Sequence, residues 1–359
     1  MTGSFLWISE AEAASLLDMH AAIGALDETL RLEAAGDAAN MTKTHAAWAG
    51  GTLHAIGATL QRDHVAVTKT WVNTPRGSTP LLLLFDAAAG RLLAVLEAFA
   101  LGQLRTSGIS GIATRTLARD DARTLAIIGT GEQALPQVAA VAAVRPIASV
   151  RAFSRDAGRR EAFARRVRDT LGVDAAPAAT VADAVRDADV VTLATRASAP
   201  FLTSAMVARG AHVNAVGAIT PERAEFEAGL LDRCAVIAVD NVDQVRALSS
   251  EFRAYFSAPG RDASRVTPLS ALLARGHTRP EDADLTVFKA MGMGISDLAV
   301  GLRCYRRAVE RGVGRAMPQP ERAELPLEHM IKTPAGGAYA PEVLRTGRDG
   351  GRDRGGAER

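Results

Sequence analysis

Two cations stand where apolar residues are expected. In HVAVTKTWV (64–72) the alternation of a strand puts Val65, Val67, Lys69 and Trp71 on one side. In QLRTSGIS (103–110) helical spacing gives Arg105 the same stripe as Leu101, Ile109 and Ile112. A buried cation is costly unless an anion meets it. Lys69 alone fits a sheet edge with its ammonium snorkelling to water; Lys69 and Arg105 together fit a clamp on the carboxylate of a small ligand. A third stretch, IIGTGEQA (127–134), sets Gly129, Gly131 and Ala134 in the small positions of G-x-G-x-x-G/A, between a predicted strand and a predicted helix. Such a turn lets a pyrophosphate rest on a helix N-terminus, so a dinucleotide is expected. The end of the next strand, where Asp or Glu grips the ribose of NAD, reads Phe153-Ser154-Arg155-Asp156. A hydroxyl followed by arginine suits a 2′-phosphate, with Arg159 and Arg160 nearby. NADP(H) is therefore the expected cofactor, and Asp156 keeps NAD(H) as the alternative.

These groups need a frame. Ser9-Glu10-Ala11-Glu12 is a capping box that opens a helix, and a second helix is predicted from Asp18 to Ala35, stopped by Gly36. TLHAIGATLQ, HVAVTKTWV, PLLLLFD and RLLAVLE read as strands, the last two joined by the turn Ala87-Ala88-Ala89-Gly90. A helix is predicted over 98–118, with Gly and Ser on one face for close packing. From residue 124, TLAIIG, SVRAFS, DVVTLAT, AHVNAVG and AVIAVD alternate with helical stretches such as 158–170 and 181–188. That alternation predicts an α/β fold with a Rossmann-type, doubly wound parallel sheet. A last helix around 296–311 follows LTVFKAMGMG. The expected organisation is a dinucleotide-binding domain over 119–295 and an N-terminal α/β domain over 1–118, completed by 296–332. Residues 333–359 are mostly Gly, Arg and Asp and are expected to be a disordered tail.

Composition narrows the partners. A chain of 359 residues suits two domains, and 48% hydrophobic with 23% charged residues is ordinary for a globular protein. A net charge of +2 gives no global argument for nucleic acid or a membrane surface as partner, and no apolar run reaches span length. No secretory signal opens the chain, and its two cysteines, Cys234 and Cys304, lack metal-like spacing, so a reduced, cytoplasmic home is expected. The seven histidines have no cysteine or HExxH companions, so no metal is expected.

Read in order, the run from TKTW through TPLLLLFDAAAGRLLAVLEAFALGQLRTSGISGIATRTLA, then LAIIGTGEQA, DADVVTLAT, HVNAVGA and LTVFKAMGMGISDLA, resembles the ornithine cyclodeaminase/μ-crystallin family over about residues 5–315. The resemblance implies a homodimer whose N-terminal domain, with the C-terminal helix, forms the dimer and substrate sites. It implies a nicotinamide cofactor on the Rossmann domain. Lys69 and Arg105 fall on the positions that hold the substrate carboxylate, Arg105 also touching cofactor. Thr79 lies near a cofactor contact, Glu132 and Gln133 at the pyrophosphate turn, and Ser154, followed by Arg155, at the ribose. Thr195, Asn214, Ala215 and Val216 fall on the nicotinamide side, while Met291, toward substrate, and Asp297, toward cofactor, close the site.

The departures carry as much information. Ornithine cyclodeaminases place an acid/base Asp where this chain has Ile219, and an Arg and a Glu where it has His45 and Ile56. Isoleucine cannot move a proton. The pyrroline- and piperideine-2-carboxylate reductases of the family also lack that Asp, so the resemblance implies NADPH-dependent reduction of a small, cyclic or linear α-imino acid. His45 is the candidate general acid, with a structural histidine as its rival, and Lys43 or His45 is a candidate third clamp contact. Glu222 or Glu225 swinging in for the lost Asp would restore deamination. Ornithine cyclodeaminase or amino-acid dehydrogenase is the alternative activity. A non-catalytic NADP- and small-ligand-binding protein like μ-crystallin is the alternative of another class.

Overall fold

The computed structural model describes residues 3–276 and 279–325; the tail expected at 333–359 lies outside them. Its strands, in chain order, are β1 (Ser4–Ile8), β2 (Ala38–Asn40), β3 (Thr44–Trp48), β4 (Gly51–Leu60), β5 (Val65–Thr74), β6 (Gly77–Asp86), β7 (Arg91–Glu97), β8 (Thr124–Ile128), β9 (Ser149–Phe153), β10 (Asp174–Pro177), β11 (Val190–Leu193), β12 (His212–Ala215), β13 (Cys234–Val239), β14 (Val266–Pro268), β15 (Leu285–Lys289) and β16 (Arg315–Pro318). They make two sheets of eight.

The first sheet runs β16-β1-β7-β6-β5-β4-β2, with β3 paired to β4. β4 to β7 are an antiparallel meander, as the four alternating segments predict, and β1 joins it parallel to β7. β3 is exposed along its length, so no alternation marks it in the sequence. One face of this sheet is buried under the helices Met19–Ala34, Phe99–Leu117 and Gly294–Arg311, whose apolar residues join Leu82, Leu84 and Leu96 in one core. Both bonds of the capping box at Ser9 and Glu12 are made, and the Asp18 side chain accepts from the Ala21 amide at 2.7 Å. Each cap satisfies helix N-terminal amides that have no partner within the helix.

The second sheet is parallel throughout, in the order β10-β9-β8-β11-β12-β15-β13-β14. Along β8, Leu125 and Ile127 enter one apolar core and Ala126 and Ile128 another, so both faces are covered. The strand order reverses between β8 and β11. Open α/β sheets bind ligands in the crevice at the carboxyl ends of such strands. Among the described residues no helix is long and apolar enough to cross a membrane.

The C-terminal helix meets the first sheet backbone to backbone. A Cβ on Gly294 would lie 1.9 Å from the carbonyl oxygen of Gly57 in β4. Beside it, the Ile295 amide donates to Asn40 Oδ1 at 2.9 Å. Gly294→Ala must therefore push this helix off the sheet, with an expected loss of about 2 kcal/mol or more. Thermal melting by circular dichroism checks this, and an unchanged midpoint refutes the contact.

Candidate active site

Lys69 sits in the middle of β5, between Ile56 of β4 and Leu82 of β6, and is only 4% exposed. It does not snorkel. Its Nζ meets Asp297 Oδ1 at 2.5 Å, and Arg105 Nε approaches the same oxygen at 3.5 Å. Asp297, expected toward the cofactor, is thus the counter-ion of both cations. Among the described residues, Arg105 Nε and Asp297 Oδ2 are buried without a hydrogen-bond partner. Burial pushes the Lys69 ammonium down to about 8 against the pull of Asp297, with Arg105 adding to the shift. Lys43, just before β3, belongs to the same cluster. Burial and then Arg105 push its ammonium down, while Asp240 and Asp297 oppose. Asp240, just past β13, accepts from the Met291 amide at 2.9 Å and the Gly292 amide at 2.6 Å, and burial pushes its carboxyl up. Lys43 and Asp240 adjoin this cluster, and so, through Asp240, does Glu33, whose carboxyl burial pushes up to about 7. At Asp297 itself two cations meet one carboxylate, an arrangement that suits a second, singly charged carboxylate.

The glycine turn lies at the crevice of the second sheet. Gly129 follows β8 with φ of +103°, and a Cβ there would lie 2.4 Å from the carbonyl oxygen of Ala194, just past β11. Only glycine fits. The Cβ position of Gly131 opens on free space, and Ala134 is buried at the start of the helix Ala134–Ala142. Among the described residues the amides of Gly131, Glu132 and Gln133 find no acceptor, and Gln133 Oε1 is buried without a partner. These orphaned groups fit a pyrophosphate. Past β9, Ser154 Oγ donates to the Asp156 carbonyl at 3.0 Å, and Asp156 Oδ1 takes the Arg159 amide at 2.7 Å. The Asp156 carboxylate is engaged as a helix cap, whereas Arg155 is exposed.

Two loops at the same crevice are tied together by Glu225, which is fully buried. Its Oε1 accepts from the Thr195 amide at 2.7 Å and the Thr195 hydroxyl at 2.8 Å. Its Oε2 accepts from the amides of Gly217 and Ala218 at 2.9 and 3.0 Å. Burial pushes this carboxyl up, with Lys289 and the Thr195 bonds pulling it back. Lys289 Nζ donates to the Ala218 carbonyl at 2.6 Å and lies 3.6 Å from Glu251 Oε1, which takes the Glu225 amide at 3.0 Å. Glu225 is therefore locked, not poised to swing. Glu222 is exposed, and Ile219 packs on the apolar core of the second sheet.

The other expected residues are placed as follows. The Asn214 side chain is consumed by His212 Nε2 at 3.1 Å and Thr114 Oγ1 at 2.8 Å, beside an imidazole that burial pushes down to about 3. Ala215 and Val216 are buried in the cores, and so is Met291, whose amide rather than side chain serves Asp240. Thr79 pairs with Val72 and so projects from the face of the first sheet opposite Lys69. His45 is exposed on β3, its ring stacked on His54. Asp240 was missed, although it closes the apolar run AVIAVD at the ligand-binding end of a strand. Glu225 as a tie had no local signal, because its partners lie on two other loops.

An open parallel sheet with a glycine turn at its reversal point, and a second, mixed sheet that carries the buried Lys69–Asp297–Arg105 cluster, make this a Rossmann-type α/β protein. The chain belongs to the ornithine cyclodeaminase/mu-crystallin family, whose model matches residues 6–312. It is 34% identical over 236 residues to a Delta(1)-pyrroline-2-carboxylate reductase of Bacillus cereus, covering 65% of this chain and 72% of the relative. An archaeal alanine dehydrogenase dimer with bound NAD superposes with a TM-score of 0.81 at 28% identity, covering 88% of this chain and 99% of the other. The Delta(1)-pyrroline-2-carboxylate reductase of Thermococcus litoralis, with NADH and L-proline, shares the fold at a TM-score of 0.82 and 24% identity, covering 87% and 99%.

In Glu225→Gln one carboxylate oxygen becomes an NH2 group facing amide donors. The expected cost is about 1–3 kcal/mol of stability. Hydrogen exchange at the amides of Thr195, Gly217 and Ala218 should quicken by roughly tenfold or more for the same reason. Unchanged exchange at all three would refute the tie.

Proposed function

We propose that this chain is an oxidoreductase that uses NADPH to reduce the C=N bond of a small, cyclic α-imino acid of the pyrroline- or piperideine-2-carboxylate class. The observation that carries the reading is the Lys69–Asp297–Arg105 cluster, whose spare positive charge calls for a carboxylate. The similarity to the Bacillus cereus reductase supports it. In this reading the first sheet with the helix Gly294–Arg311 serves the substrate, and the second sheet serves the cofactor.

Lys69 and Arg105 receive the substrate carboxylate, with Lys43 as a further positive charge. Gly129, Gly131, Glu132 and Gln133 hold the pyrophosphate, Ser154 and Arg155 the 2′-phosphate, and the loops at Thr195 and Val216 border the nicotinamide. The nicotinamide, when bound, supplies a hydride to the imine carbon. The nitrogen needs a proton. Lys69 Nζ is charged near neutral pH, buried beside the clamp, and stabilised by Asp297 in its charged form, so it is the favoured source over the exposed His45. Fixing the carboxylate on two rigid elements orients the C=N carbon, which is most of what this reaction asks of the protein.

A homodimer is the assembly this reading favours. Trp48, Leu53 and Val72 are 50, 44 and 41% exposed, and strand alternation puts all three on the face opposite Lys69. The archaeal relative is a dimer. A cytoplasmic location is kept in the reading, with both cysteines free and buried. The same clamp would serve an amino-acid dehydrogenase, the reading that the archaeal relative favours.

Turnover of NADPH with cyclic imino acids tests the proposal, and no turnover with any α-imino acid would leave a binding protein. NADPH should outperform NADH by about tenfold, the worth of a charged hydrogen bond, and Ser154→Asp should reverse the order. Equal use of both refutes the 2′-phosphate assignment. Lys69→Ala and Arg105→Ala should each lower kcat/KM by about a hundredfold. Because the ammonium form of Lys69 is required, kcat/KM should fall as pH rises through about 8. A flat profile from pH 6 to 10 excludes Lys69 as the acid. Ornithine should release no ammonia, since Ile219 offers no acid or base; release at a rate matching imine reduction overturns the reductase reading.

A further inference from the structure

Gln137 is the only polar residue of the helix Ala134–Ala142 that opens on the glycine turn, and it is fully buried. Its Nε2 donates to the Thr106 carbonyl at 3.2 Å, in the helix Phe99–Leu117 and one residue from Arg105. Its Oε1 is buried and, among the described residues, has no partner. An unpaired buried oxygen lowers stability, so packing alone does not account for a glutamine among Ala, Val and Leu. The helix Phe99–Leu117 is also tied to the second sheet near its C-terminus. There Thr114 Oγ1 accepts from the Asn214 side chain at 2.8 Å, and the Leu117 carbonyl from Thr286 Oγ1 at 2.9 Å. Midway, Gly111 lets the two helices meet, since a Cβ on it would lie 3.1 Å from the Ala140 carbonyl oxygen. The half that carries Arg105, residues 99–110, has one tie. Among the described residues, the Gln137 bond is its only hydrogen bond to residues 119–290.

We propose that Gln137 is a positioning residue: it holds the helix of Arg105 in register with the helix behind the glycine turn, and so sets the substrate carboxylate against the cofactor. The proposal rests on the reading that Arg105 holds the carboxylate and the turn holds the pyrophosphate. Apolar contacts fix how near two helices lie. A hydrogen bond also has direction, so it fixes how far one helix has slid along the other. One residue of a helix rises about 1.5 Å, and a misplacement of about 1 Å can cost about a hundredfold in rate. Reduction needs the C=N carbon and the nicotinamide in contact. Arg105 rides on one of these helices and the pyrophosphate turn opens the other, so their register sets that contact. With the bond in place, the second ligand to bind does not have to draw the helices together.

The test compares the full-length wild type with Gln137→Met, which keeps the side-chain length and lacks the donor, and with Gln137→Glu. In calorimetric titrations Gln137→Met should bind NADP+ alone, and pyrrole-2-carboxylate alone, as the wild type does. With NADP+ present it should bind the acid about threefold or more weakly, the scale of one neutral hydrogen bond. With pyrroline-2-carboxylate as substrate, kcat should fall about tenfold or more, while Tm and the KM for NADPH change little. The deuterium isotope effect from NADPH labelled at the transferred position should rise. The carboxyl in Gln137→Glu can donate to the Thr106 carbonyl while protonated, and burial favours that form. Its kcat relative to wild type should therefore be near one at low pH and fall as pH rises, whereas that of Gln137→Met stays low throughout. Normal kcat and normal binding in Gln137→Met, or a Gln137→Glu ratio that ignores pH, overturns the proposal. If Gln137→Met does not fold, the pH dependence of Gln137→Glu decides. If the wild type binds both ligands but reduces no imino acid, the calorimetric comparison decides. If it binds neither, the reading beneath the proposal is wrong and the proposal falls with it.

Discussion

The site hangs on one shared oxygen. Asp297 Oδ1 is met by Lys69 and approached by Arg105, and the lysine is 228 residues away in the chain. Removing one partner of such a buried pair costs about 3–5 kcal/mol, because the other charge is left without water or counter-ion. The three groups ride on β5 and on the helices Phe99–Leu117 and Gly294–Arg311. No local segment can assemble the clamp. It exists only once the C-terminal helix has docked on the first sheet, which is why the contact at Gly57 and the Asn40 bond to Ile295 belong to function as much as to stability.

Buried carboxylates also fix the loops, and they do so by one chemistry. Asp240 takes the amides of Met291 and Gly292, anchoring to the end of β13 the segment that leads into the helix carrying Asp297. Glu225 takes four donors from the loops after β11 and β12. A carboxylate accepts two bonds at each oxygen and gains from amide dipoles roughly what it loses in leaving water. Each therefore joins two chain segments that have no covalent reason to be close. The result is a crevice whose walls are set before any ligand arrives, so binding does not have to order them.

What was legible in the sequence follows from how local each signal is. The glycine turn, the parallel alternation and the meander are written in consecutive residues, and all three are present. Lys69 and Arg105 were legible because a charge in an apolar stripe is itself the anomaly. Their partner within the chain was not, since nothing around Asp297 says which strand its helix will cover. The opposite happened at Asn214, where a polar residue at the expected place spends its side chain on His212 and Thr114. Position along a strand could be read. The direction of a hydrogen bond could not.

The lost aspartate shows how these levels combine. A deaminase needs a group beside the reacting carbon that takes and returns protons, and Ile219 packs instead on the second core. Replacement by Glu225 fails on arithmetic: all four of its bonds are already made, so moving it would orphan the Thr195, Gly217 and Ala218 amides at once. Glu222 is exposed, where nothing holds it at a reacting atom. Lys69, itself a member of the cluster, is the buried donor that the proposed reading uses in place of that aspartate, and burial brings it to about 8. An ammonium at that value gives a proton readily near neutrality and is restored from water. It cannot serve as a resident carboxylate base at the same pH. On the proposed reading the acid sits in this cluster and no free carboxylate stands ready as base, which fits reduction of a C=N bond better than deamination.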